Sequence, residues 1–160
     1  MNEEQTVRFR RYSKNVVSGG SAVILLSVWT LIKTLIIVVQ NWDALLKETG
    51  LEEISQEWVQ VTVGLVLVGI YAVIVLVHVG LGISAIRYGR GKKKKRWFLI
   101  LAVLLLALTV FGMPSYFREY DTTVQDTSIA AFLADATTIF VLIDLIYSSI
   151  RMKQLENQTA

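Results

Sequence analysis

The chain is 160 residues long, 54% hydrophobic and 18% charged, with one proline and no cysteine. That leaves room for a single domain and excludes disulfides, iron–sulfur clusters, thiolate metal sites and cysteine nucleophiles. The net charge of +3 conceals a segregation, because apolar residues gather into four long runs and the charges collect between them. A soluble core alternates apolar and polar positions, so this pattern predicts an all-α integral membrane protein, an antiparallel bundle of four transmembrane helices forming one domain over 1–160.

In chain order, Arg8, Arg10, Arg11 and Lys14 precede a first span over about 16–39. Its length, the presence of Lys33 and the lack of a small-residue cleavage site mark it as a retained span rather than a cleaved signal peptide. The next connection is acidic, with Asp43, Glu48, Glu52, Glu53 and Glu57. Trp42 and Trp58 bracket it, and their spacing with Leu45, Leu46 and Ile54 predicts a short interfacial helix broken at Gly50. The second span, about 59–86, is the longest and can tilt or project beyond the hydrocarbon.

A compact basic turn follows, with Arg87, Arg90, Lys92, Lys93, Lys94, Lys95 and Arg96. Trp97 opens a third span, about 97–113, which is short for a crossing and is stopped by Gly112 and Pro114. The third connection carries Glu119, Asp121 and Asp126, and Asp126 or Thr127 can cap a fourth span over about 128–150. Arg151 and Lys153 lie in the C-terminal tail, where Asn157–Thr159 spells an incidental glycosylation acceptor.

Basic residues outside the spans fall almost wholly in the two tails and the second connection, against only Lys47 and Arg118 in the other two connections. The positive-inside rule therefore predicts cytoplasmic termini, in a plasma or bacterial inner membrane. Because the lysine run is tied at both ends to spans, Arg90, Lys92, Lys93, Lys94, Lys95 and Arg96 are expected to contact anionic lipid headgroups rather than nucleic acid. Each such residue contributes about 1 kcal/mol of attraction to the surface.

Small and polar residues draw lines along two spans: Gly64, Tyr71, His78 and Ala85 with Gly82 on the second, and Gly20, Ser27 and Thr34 on the first. Small residues let helices approach closely, so Gly20, Ser27, Thr34, Gly64, Tyr71 and Gly82 are the expected packing positions. The third span has little polar besides Thr109 and is expected at the periphery.

Four ionisable residues lie within the apolar runs: Lys33, His78, Asp135 and Asp144. A charge at mid-span costs about 2.5–3.5 kcal/mol on insertion scales, which makes such residues functional candidates. Counting depth from the span ends pairs Lys33 with Asp135 in the outer half and His78 with Asp144 in the inner half. Plainer readings stand beside these. Lys33 can snorkel outward, Asp135 can sit in a favourable first turn, His78 can bond a backbone carbonyl or Tyr71, and Asp144 can bond a serine or threonine. Asp135 and Asp144 are nine residues apart, on roughly opposite faces of one helix. If both are buried, one faces the bundle and the other a partner.

An enzyme is the weakest expectation, since no metal-binding cluster, phosphate loop or nucleophile elbow is present and no cofactor or metal is implied. A small oligomeric transporter or channel using the intramembrane Asp, His and Lys residues is the alternative, although no span is broken in midcourse and no repeat is evident. The leading expectation is a non-enzymatic interaction or accessory module that forms a homo-oligomer or joins another membrane protein.

Overall fold

A computed structural model of the chain describes residues 3–40, 57–92, 97–114 and 125–158. They form four helices: α1 (Glu3–Gln40), α2 (Glu57–Gly89), α3 (Trp97–Gly112) and α4 (Gln125–Asn157). Helices α1, α2 and α4 each contain a stretch long and apolar enough to cross a membrane. At 16 residues, α3 rises only about 24 Å, short of a hydrocarbon core of about 30 Å. The interfacial helix expected between Trp42 and Ile54, and the acidic Glu119 and Asp121, lie outside the described residues.

Two helices outrun their expected spans. The basic segment ahead of Val16 continues the first span, giving α1 38 residues and a length of about 57 Å. No glycine or proline interrupts this segment, and Glu3 and Glu4 occupy the first turn, where the helix dipole favours carboxylates. Arg8 Nη2 donates to Glu4 Oε1 at 2.6 Å, and Phe9, Tyr12 and Val16, at helical spacing, pack on the core. Helix α4 likewise runs past Ile150 to Asn157, burying Met152. It opens at Gln125, just ahead of the expected caps, and the side chains of Asp126 and Thr127 lie outside the described set.

Packing centres on α1, which makes its most extensive contacts with α2 and then α4, while α3 touches α4 and α2 and closes the ring. The α1–α2 crossing is close enough to exclude side chains. A Cβ at Gly20 would lie 2.7 Å from the Gly82 carbonyl oxygen, and one at Gly82 would lie 2.6 Å from the Gly20 carbonyl oxygen and 2.5 Å from Ile24 Cγ1. Farther along, Ser13 Oγ donates to the Gly89 carbonyl at 2.7 Å. On the α1–α4 seam, Gly19 lies against Leu145 and Tyr12 is edge-on to Tyr147 at 6.2 Å. Tyr88 and Phe98, 5.3 Å apart, join α2 to α3 at the same end.

The sharp stop of α2 has a local cause. Lys92 N–H donates to the Arg87 carbonyl and Gly91 N–H to the Tyr88 carbonyl, both at 2.9 Å, with Gly91 in the left-handed region at φ 71°. This pair of bonds is a Schellman cap, which a glycine at that position permits.

The molecule is inverted relative to a water-soluble one. Leu25, Leu76, Phe111 and Phe140 are between 69% and 82% exposed, whereas Ser27, His78, Thr138, Ser148 and Ser149 are buried. Apolar surface on this scale needs a covering. Helix α3 follows suit, burying Phe98, Ala102 and Leu105 and presenting Ile100, Val103 and Phe111 outward.

Replacing Gly82 with alanine is expected to destabilise the bundle by about 1–3 kcal/mol through overpacking. Gly69→Ala, on the same helix but with open space at its Cβ, is expected to be neutral or slightly stabilising. Thermal unfolding of both variants in one detergent checks the contrast.

Candidate functional site

Polar side chains of the apolar helices line two spaces, an inner one among the four helices and an outer one between α1 and α4. The inner one is a cavity of about 500 Å³ to which all four helices contribute. Thr30 comes from α1; Val73, Ile74, Val77 and His78 from α2; Leu101, Leu104, Leu105, Leu108, Thr109 and Gly112 from α3; Asp135 and Thr138 from α4. Its walls are aliphatic. Its polar members sit one from α1, one from α2, one from α3 and two from α4.

Four of those five polar groups are engaged with their own helices. Thr30, Thr109 and Thr138 donate their hydroxyl protons to the carbonyls of Leu26, Leu105 and Ala134, at 3.0, 2.9 and 2.8 Å. His78 Nδ1 lies 2.8 Å from the Ile74 carbonyl. A carbonyl only accepts, so Nδ1 carries the proton in this bond. Back-bonding of this kind is how a helix in hydrocarbon satisfies hydroxyl and imidazole groups without water.

The outer place is a groove of about 380 Å³ between α1 and α4, lined by Asn15, Ser18, Gly19, Ala22, Phe140, Val141 and Asp144. Its α1 wall follows the i, i+3, i+4, i+7 repeat of one helix face, and small residues make it shallow enough to admit another backbone. Asp144 is exposed on its α4 wall and accepts from Ser148 Oγ at 3.3 Å. At the nearby helix end, the Arg151 guanidinium lies 5.5 Å from the centre of the Tyr147 ring and donates through Nη1 to Gln154 at 3.0 Å.

The structure therefore sorts the residues singled out in the sequence. His78 shares its cavity with Asp135, whereas depth counting had matched it with Asp144. Asp135 and Asp144 line different spaces. Gly20 and Gly82 meet each other, Ser27 is buried with its hydroxyl on the Ile24 carbonyl, and Gly64 and Tyr71 are half-buried farther along α2. The side chains of Lys33 and Thr34 lie outside the described set, so the expected Lys33–Asp135 pair does too. Arg90 and Lys92 are exposed in the turn after α2, and Lys93, Lys94, Lys95 and Arg96 lie outside the described residues.

Sequence reasoning passed over Thr30, Thr138, Asn15 and Ser18. The signal was present in each case, as a lone polar residue on a helical repeat with another, within or at the edge of an apolar run. Among the described residues no three His, Asp or Glu side chains gather as metal ligands would. No family model matches the chain, and neither a curated protein nor a solved structure matches it.

Ring-nitrogen 15N shifts of His78 in the reconstituted protein should identify Nδ1 as the protonated position at neutral pH. A ring protonated only on Nε2 would contradict the bond to Ile74.

Proposed function

We propose that this chain is a non-enzymatic membrane module of four antiparallel helices, both termini on the cytoplasmic face, that assembles with a second copy of itself through the α1/α4 groove. The observation that carries this reading is Asp144. A carboxylate on the outward face of a bundle whose surroundings are Leu, Val and Phe costs several kcal/mol against lipid, and one long hydrogen bond from Ser148 offsets only part of that. A partner that supplies donors removes the remainder.

A second copy fits the groove's chemistry. The same short stretch holds an acceptor in Asp144 and donors in Asn15 and Ser18, and such a surface is self-complementary under two-fold symmetry. Gly19 and Ala22 supply the close approach, and Phe140, 75% exposed, supplies a side chain to bury. The helix of another membrane protein is the other occupant this groove could take.

The orientation rests on charge. The start of α1, the turn after α2 and the end of α4 meet at one end of the bundle, and among the described residues Arg8, Arg10, Arg11, Lys14, Arg87, Arg90, Lys92, Arg151 and Lys153 belong to these segments. Anionic headgroups are the lipid partners this end favours.

On gentle extraction, the assembly's intact mass is expected to be that of a dimer or a multiple of it. Asp144→Leu and Ser18→Ile both alter the outward surface only, so they are expected to leave the fold intact and weaken association at least tenfold. A monomer at all concentrations would sink the proposal. An unrelated stoichiometric subunit lost with Ser18→Ile would replace the second copy as occupant.

Because the chain has no cysteine, single substitutions report sidedness cleanly. Arg90→Cys is expected to react with a membrane-impermeant maleimide only from the cytoplasmic side, and Lys47→Cys only from the outside. The reverse pattern would invert the topology.

A small transporter or channel is the second reading, favoured by the cavity that His78 and Asp135 share. It requires ion or proton flux in liposomes that Asp135→Asn abolishes.

A further inference from the structure

We propose that the space inside the helix ring holds one acyl chain of a bilayer lipid, which enters sideways between α2 and α3. This occupancy presupposes that the bundle spans a membrane and is independent of the second copy at the outer groove. One side of the cavity wall is also outer surface. Val73, Leu104 and Leu108 line the space and are nonetheless between 55% and 60% exposed, whereas Leu105 and Thr138 line it from buried positions. The aliphatic wall is therefore continuous with the surface that faces hydrocarbon, and the continuity lies at the α2–α3 seam.

That seam is the loosest in the ring. Of the four neighbouring pairs of helices, α2 and α3 make the least extensive contact. The aromatic contact between them, Tyr88 against Phe98, lies near the turn that connects them. Beyond it the two helices part around the cavity, with Leu101 and Leu108 on one side and Val73 and Val77 on the other. The space is about 500 Å³, within the range of pockets that enclose a small molecule.

The lining favours hydrocarbon over water. Thr30, Thr109 and Thr138 have each given their only proton to a carbonyl of their own helix, and His78 Nδ1 is bonded to Ile74. Asp135 is engaged as well. Polar groups satisfied within the protein gain little from admitting water, which needs roughly three hydrogen bonds of its own when buried. An acyl chain needs none. Left empty, the space would deprive the leucines and valines around it of dispersion contacts, and a lipid tail, as apolar as leucine, restores them.

The test uses the full chain in phosphatidylcholine nanodiscs in which a fraction of the lipid carries a photoactivatable diazirine midway along one acyl chain. After irradiation, adducts are located by mass spectrometry of the digested protein. They are expected at Leu76 and Phe111, on the outer surface, and also at the buried Leu105 and Thr138. Val77→Trp, which fills the space, and Leu108→Trp, which obstructs its mouth, are each expected to cut labelling of Leu105 and Thr138 about tenfold, because a filled interior leaves no room for a chain. Both should leave Leu76 and Phe111 labelled as before. Ile100→Trp, on the outward face of α3, is expected to change neither set. Adducts at Leu76 and Phe111 but none at Leu105 and Thr138 would overturn the lipid site alone, as would inner labelling that folded Leu108→Trp and Val77→Trp do not reduce. Absence of adducts at all four positions would overturn the membrane reading, and this site with it.

Discussion

Backbone meets backbone where α1 crosses α2, and this contact organises the bundle. Gly20 and Gly82 lie so close that either carbonyl oxygen occupies the space a Cβ on the other would need. In hydrocarbon there is no hydrophobic drive to bring helices together, because lipid tails are as apolar as leucine. Close fit is what remains. Once α1 and α2 are locked at this crossing, Gly19, the neighbour of Gly20, turns toward Leu145 and seats α4 on another side of α1. Successive residues of one helix thereby hold two neighbours, and α3 is left to close the ring with fewer contacts.

The location of that crossing decides where the interior is filled and where it is open. Among the described residues the buried ones fall at 16–27 of α1, 78–89 of α2, 98–105 of α3 and 138–152 of α4. All four ranges lie toward the end where Ser13, Gly89, Phe98 and Tyr147 come together. The cavity begins where this packing ends, and His78, Leu105 and Thr138 belong to both the buried set and the cavity wall. Its polar groups are therefore not scattered defects in an apolar core. They line a space that opens one turn of α2 away from the glycine crossing.

Run length and charge made the four helices legible in the sequence, because both are properties of composition along the chain and need no knowledge of neighbours. The glycine and serine lines were legible for the same reason, since Gly20, Ser27 and Gly82 stand out against valine and leucine. The continuation of α1 back to Glu3 was less visible. A segment with four basic residues looks like a tail until Phe9, Tyr12 and Val16 are seen to lie on one helical face. The cap at Gly91 was hidden inside a basic run, where charge drew attention away from the glycine that adopts positive φ. Depth counting could place His78 and Asp144 at similar heights, but height carries no information about azimuth. His78 and Asp144 open onto different spaces because their faces on α2 and α4 differ, and only the assembled ring reveals that.

Azimuth was legible within a single helix, and there it has the largest functional consequence. Nine residues at 3.6 per turn set Asp135 and Asp144 half a turn apart, so no rotation of α4 can bury both in one narrow interior. The observed rotation gives Asp135 the cavity and leaves Asp144 on the outer groove. Turning α4 the other way would expose Asp135 and bring Asp144 inward, but Leu142, Leu145 and Ser149, now fully buried, would then leave the core. The packing of the inner half thus dictates which carboxylate serves which surface. A bundle held together at Gly20 and Gly82 turns one acidic group of α4 toward the cavity and the other toward the outer groove, and the two can be altered independently.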